Sequence, residues 1–434
     1  MKKHIILSTA IAASLTVVGS LTVLADDAAP APAAAASPTL MPAMSAPLAA
    51  NTKPSVFDAG PVGNIYVTGV ASGLAMFQTN ASHQYNGFSS DDRSALGDVS
   101  NAQVFLNKTD GLVQFFAQVG AYSLPSLGTA YLNAAKSNNL YGPLAQGFIK
   151  IVPSDSFSVQ AGQLPTLIGA EYTFTFENAN IQRGLLWNQE NAISRGFQAN
   201  YSIGPVALSA AWTDGFYSGQ LDWVTGLATW TIDKEDTLTF VGGANAKSGG
   251  AQVTNQSFVA NYGGGSTANA GNGVATPLLQ NNEQIYNLIY TRASGPWTVT
   301  PYLQYTYVPA MANLGYTKSA STMGGAVIVN YTFDKCMSIG GFNLEGYSLP
   351  ARVEYISSSG GNGHGFNGAS NLLYGLGSDA YSITITPTYQ KGIFFARGEL
   401  AYVGVVDGTS GAMFGKNGAR NGQTRGLLEV GFLF

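Results

Sequence analysis

The closing stretch Gly426-Leu427-Leu428-Glu429-Val430-Gly431-Phe432-Leu433-Phe434 constrains this chain more than any other part of it. Leu428, Val430, Phe432 and Phe434 fall on one face, because successive side chains of a strand point to opposite sides. Chain termini usually fray into water, so a chain that ends on its most apolar strand needs something other than water against that face. A membrane-spanning strand that closes an antiparallel barrel meets the requirement, with its alternate residues in lipid.

Composition agrees. The chain is 45% hydrophobic, with 22 Tyr, 22 Phe and 53 Gly, yet only 10% of it is charged, against roughly 25% in soluble domains. Beyond residue 25 no apolar run approaches the roughly 18 residues that a spanning helix needs. The hydrophobicity is therefore interleaved with polar residues, as in spanning strands. A net charge of −4 leaves no basic footprint for nucleic acid. Cys336 is the single cysteine, which excludes an internal disulfide framework, and it reads as a small side chain in a turn. His4 lies in the leader, and His83 and His364 are far apart, so neither a zinc-type cluster nor any other cofactor is expected.

Lys2 and Lys3 precede an apolar stretch from Ile5 to Leu24, with Ala25 at the cleavage position and Asp26-Asp27 after it. Residues 1–25 read as a cleaved secretory signal peptide rather than an anchor, and the lack of a cysteine at that point argues against lipid attachment. Residues 26–62 are dominated by Ala and Pro and read as an extended, mobile periplasmic linker. From 63 to 434 the chain reads as all-β, with strands joined alternately by tight turns and long loops. Strands are expected near Ile65–Gln78, Val99–Asn107 and Leu112–Tyr122, the last two joined by Lys108-Thr109-Asp110-Gly111, where Asp-Gly suits a hairpin. Further tight turns fall at Pro153-Ser154-Asp155, Ile203-Gly204-Pro205, Asp233-Lys234-Glu235-Asp236, Ser294-Gly295-Pro296, Phe333-Asp334-Lys335-Cys336 and Gln390-Lys391-Gly392. Between them lie longer Gly- and Asn-rich stretches such as Asn245–Gln280 and Ser357–Ser378. Seven tight connections give about 16 strands, with short periplasmic turns and long external loops. A soluble β-sandwich array would instead carry charges on its outward positions, where this chain repeatedly places aromatics: Tyr286, Leu288 and Tyr290 share a face, as do Leu303, Tyr305 and Tyr307.

A barrel of that size is too wide for its wall side chains to fill, so function lies in what lines or narrows the lumen. Parity names the lining. If Leu428 to Phe434 face lipid, Arg425 and Glu429 face inward. Outward Phe394, Ala396, Leu400 and Tyr402 put Arg397 and Glu399 inside, and outward Ala351, Val353 and Tyr355 put Arg352 and Glu354 inside. Opposed charges across a pore filter solutes by charge and dipole, although Arg–Glu pairs also simply neutralise one another in a wet wall. The segment 165–193 is richer in charge and aromatics than the other loops, and is expected to fold inward as a constriction with Glu171, Glu177, Arg183 and Glu190 as filter residues. The alternative is an external cap held by its own aromatics.

Residues Asn180–Trp187, Asn191–Gln198, Gly204-Pro205 and Trp212–Gly219 resemble the core of the OmpL-like beta-barrel porins of Gram-negative outer membranes. The resemblance implies an outer-membrane porin surrounded by lipid, and no catalytic residues. The terminal Phe434 resembles the signal read by barrel-assembly machinery. Homotrimers are common among porins, and no interface is legible here. Enzyme chemistry is not expected: His83 near Asp91 and Asp92, and His364 in a Gly-rich loop, sit in no nucleophile motif, and Asn245-Ala246-Lys247-Ser248 lacks the spacing of a phosphate loop. The expected function is passive diffusion of small hydrophilic solutes or ions through a water-filled barrel with a charged constriction. Two alternatives stay open: a structural or adhesive barrel with a plugged lumen, and a sugar-type channel using inward tyrosines such as Tyr302.

Overall fold

The computed structural model describes residues 40–45, 47–81, 92–215, 218–247, 250, 277–334, 337–360 and 369–434. The leader, residues 26–39 of the expected linker, Asp91, His83, His364 and Cys336 lie outside the described residues.

The strands are β1 (Asn64–Gln78), β2 (Ala95–Lys108), β3 (Val113–Tyr122), β4 (Leu144–Ser154), β5 (Phe157–Pro165) and β6 (Ile193–Ile203). They continue as β7 (Val206–Thr213), β8 (Trp223–Thr231), β9 (Asp236–Asn245), β10 (Gln284–Ser294) and β11 (Trp297–Val308). The last are β12 (Ala320–Thr332), β13 (Tyr347–Ser358), β14 (Asp379–Ile385, resuming at Thr388–Lys391), β15 (Phe394–Val406) and β16 (Gly422–Leu433). Each pairs antiparallel with the next, and β16 pairs back onto β1 from Val70↔Leu433 to Gln78↔Arg425, which closes a barrel of 16 strands. Pro387 explains the break in β14, since proline has no N–H to give the ladder.

Alternation divides the wall as the sequence requires. Leu428, Val430, Phe432 and Phe434 are exposed on the outside, as are Leu303, Tyr305, Tyr286 and Leu288. Their neighbours in sequence, among them Arg425, Glu429, Gln304 and Asn287, are buried within. Closure pairs each described wall strand on both sides, so the backbone polar groups find their partners within the sheet rather than in lipid.

Two connections differ from the sequence reading. Strand β2 begins at Ala95, not Val99, because a bulge opposite Ser72/Gly73 inserts Ser100 and reverses parity there; Ser100 and Asn101 are both buried. The link after β12 is not a tight turn: it runs to Tyr347 and carries its own ribbon, Ser338–Ile339 with Phe342–Asn343. Of the stretch read as a linker, the described part lies against the barrel. Ser55–Asp58 pairs with the start of β1, extending the edge beyond the end of β16. Leu48, 3% exposed, is packed among inward side chains of the wall.

Candidate functional site, a loop held across the lumen

The segment joining β5 to β6 folds inward, and every residue from Thr173 to Ser194 is buried. It has little regular structure, only the short 3-10 turns Thr175–Glu177 and Leu186–Gln189. Its backbone groups therefore need partners, and the wall supplies them.

The predicted wall and loop residues meet one another. Arg352 donates from Nη1 to Glu171 Oε1 at 2.5 Å and to the Gln182 carbonyl at 2.8 Å, and from Nε to Glu354 Oε2 at 3.1 Å. Glu399 accepts from Ile181 N at 2.5 Å and from Gln182 Nε2 at 2.8 Å. Arg397 pairs with Glu429 at 2.5 Å, in direct cross-strand register, and donates to the carbonyls of Thr175 and Asn178. Glu429 also accepts from Thr175 Oγ1 at 2.8 Å. Among the described residues Arg425 makes no ion pair; it donates to Gln78 Oε1, Gln182 Oε1 and the carbonyls of Ser126 and Thr129. All of these side chains are essentially buried, and charge-assisted bonds in such surroundings are the strong ones.

Two loop glycines admit this close approach. A Cβ on Gly184 would collide with the Glu354 carboxylate, and one on Gly169, at φ +81°, with that of Glu190. On the far side Tyr302 donates to Glu190 Oε1 at 3.1 Å and Gln304 Nε2 to the Leu186 carbonyl at 2.9 Å. Tyr302, 1% exposed, thus braces the loop and offers no free ring face for stacking. Towards the periplasmic side the loop adds an aromatic layer: Phe176 stacks on Phe105 at 5.6 Å and Phe174 meets Tyr122 edge-on at 5.0 Å.

Arg183 and Glu177 stand apart from the clamp. The Arg183 guanidinium lies 4.6 Å over the Trp187 ring, and among the described residues none of its nitrogens finds an acceptor. Burial lowers its pKa to about 10, and burial raises those of Glu177 and Glu190 to about 8. Arg183→Met is expected to stabilise the fold by about 1–3 kcal/mol, because it removes an unsatisfied buried cation. Glu177 is neutral at pH 7 and Glu171 keeps Arg352, so neither becomes an unpaired charge. A higher temperature for loss of the compact gel form would show it; a lower one would mean that the guanidinium is satisfied.

Sequence reasoning missed several participants. Glu283 is fully buried with neither oxygen bonded among the described residues, and Gln280 of the short helix Pro277–Asn281 donates to the carbonyls of Asn188 and Glu190. Thr386 donates to Glu399 at 2.8 Å and accepts from Asn180. Beside the loop a cavity of about 20 Å³ remains against Gln198, Thr213 and Thr225, room for about one water.

OmpT of Vibrio cholerae, folded in vitro, shares the fold at a TM-score of 0.51 with 10% identity, over 86% of this chain and 98% of that one. The outer membrane channel DcaP of Acinetobacter baumannii gives 0.51 with 10% identity over 86% and 97%. No curated protein sequence matches the chain. A family model described as "Putative beta-barrel porin-2, OmpL-like" matches residues 64–434. The match takes in the whole barrel and the clamped loop, and the chain belongs to this family of outer-membrane porins.

Proposed function

We propose that the chain conducts small hydrophilic solutes and ions passively, with the 165–193 segment setting the size limit and the lumen charges the ionic preference. The observation that best supports this reading is an asymmetry of the lumen. The segment is fastened to β13–β16, packed on β2 and braced by β10–β11, as described above. Across from the clamp, the inward polar residues of β6–β9 bond to one another. Gln198 donates to Asn200 Oδ1 at 2.7 Å, Ser209 to Asn200 Oδ1 at 2.8 Å, and Thr229 pairs with Thr239 at 2.9 Å. Among the described residues, none of these bonds reaches the loop. Gln198, Asn200, Ser209 and Thr239 are buried, and a stripe of neutral hydroxyls and amides without such bonds to the loop is the side along which water and polar solutes would pass with least binding.

Liposome swelling tests the size limit. Entry of neutral solutes is expected to slow steadily from glycerol to disaccharides without saturating. Saturable entry of one sugar would favour the substrate-specific channel, and no swelling from folded protein would exclude both.

Charge supports a cation preference that grows with pH. The buried groups at the constriction are Arg183, Arg352, Arg397 and Arg425 against Glu171, Glu177, Glu190, Glu283, Glu354, Glu399 and Glu429. Burial holds Glu177 and Glu190 protonated below about pH 8, so their negative charge appears as pH rises through that value. The reversal potential in a KCl gradient is expected to move towards the potassium potential between pH 6 and pH 9. An unchanged value would remove these carboxyls from the conduction path.

A structural or adhesive barrel with a plugged lumen is the second reading, favoured by the small cavity beside the loop. Export by a cleaved signal peptide (1–25), tethering by 26–62 and recognition of Phe434 by the assembly machinery belong to the same proposal. So does a homotrimer: OmpT is known in a trimer form.

A further inference from the structure

We infer that the stretch between Leu40 and Ala49, described at residues 40–45 and 47–49, is a plug that obstructs the periplasmic half of the lumen and widens the channel by leaving it; the inference rests on the channel reading above. The stretch Leu40 to Ala49 carries no charged residue, and it bends at Met41-Pro42 and turns at Pro47-Leu48. It is held at three points. At one end Met41 N donates to Asn107 Oδ1 at 3.1 Å while Asn107 Nδ2 donates to the Met41 carbonyl at 3.2 Å. At the other, Ala49 N donates to Gln390 Oε1 at 2.8 Å and Gln390 Nε2 to the Ala49 carbonyl at 2.9 Å. Between them Ser45 donates from N at 2.7 Å and from Oγ at 2.9 Å to the carbonyl of Glu177, in the constriction loop itself.

Gln390 lies near the turn between β14 and β15, and Asn107 points inward from β2. The segment thus crosses the periplasmic mouth from the end of β2 to the β14–β15 turn, with Ser45 reaching the constriction loop, across the route of any solute that has passed the loop. Leu48 packs in one cluster with Val70, Phe105, Phe116, Phe395 and Leu433 of the wall, with Met41 and Met44 against it. Two features make the contact releasable. Both side-chain amides read only the backbone of the segment, and no ion pair ties it among the described residues. The wall beneath stays closed without it, because β1 and β16 pair independently of residues 40–49.

The test compares single-channel currents of four forms, each checked for the compact, heat-modifiable barrel. They are the wild type, a deletion of residues 40–49, Asn107→Ala with Gln390→Ala, and a Met41→Cys, Asn107→Cys lock in a Cys336→Ser background. The deletion is expected to raise conductance by a factor of about two or more, since it removes a second obstruction in series with the constriction loop. The double alanine form is expected to switch between the wild-type and the deletion level. The oxidised lock is expected to hold the lowest level until a reductant is added. A deletion form that conducts at the wild-type level would overturn the plug and leave the channel standing. Silence in every form, the deletion included, would overturn the plug together with the channel reading it rests on.

Discussion

Arg352→Ala is expected to free the 165–193 segment from the wall while the barrel stays closed. The guanidinium satisfies Glu171, Glu354 and the Gln182 carbonyl at once, and all three side chains are almost wholly buried. Removing one partner from a buried ion pair costs about 3–5 kcal/mol, because the remaining charge is stranded. Here Glu171 and Glu354 would be left facing each other across the space the arginine occupied, and Glu171, whose pKa burial raises to about 7 even beside the arginine, could stay there only by taking up a proton. The cheapest escape is for the loop to swing out and carry Glu171 into water, since the strands keep their full ladder of backbone bonds. Trypsin then reports the change: Arg183, fully buried in the native loop, becomes a cleavage site. Rapid cutting there with the barrel core intact is the expected result, and resistance equal to the wild type would show that the loop does not depend on this clamp.

Leu428→Arg tests the opposite face. Leu428 is 60% exposed near the middle of β16, paired with Gly398 on one side and Ala75 on the other. If that surface is in hydrocarbon, arginine there costs about 2–4 kcal/mol in folding free energy, and much less near an interface. Reversible denaturant titration in lipid vesicles would measure it, with Leu428→Ala as the control for lost apolar area. A penalty no larger than that of alanine would place the strand away from the bilayer centre.

Much of this was legible in the sequence for a simple reason. A closed barrel gives each strand residue only two environments, so Leu428 or Val353 outside fixes Glu429 or Arg352 inside. Charge and aromatics in Glu171–Glu190 marked the loop, although its inward path was one of two alternatives. Three things left no trace. Ser100 enters as a bulge, which reverses parity without altering composition, and Gly97-Asp98 reads as the end of a loop. Glu399 binds the loop through the N–H groups of Ile181 and Gln182, and main-chain donors carry no side-chain signature. The stretch from Met41 to Ala49 docks likewise through its own backbone to Asn107 and Gln390, so its Ala and Pro content reads as solvated linker.

The most direct test of a passive pore metered by its inward loop is single-channel recording in planar bilayers, wild type beside Arg352→Ala. The wild type is expected to insert as discrete steps of small, stable conductance, and the variant as larger steps with frequent transitions. Silence from both, with the barrels shown to be folded, would contradict the account and leave a plugged structural or adhesive barrel in its place.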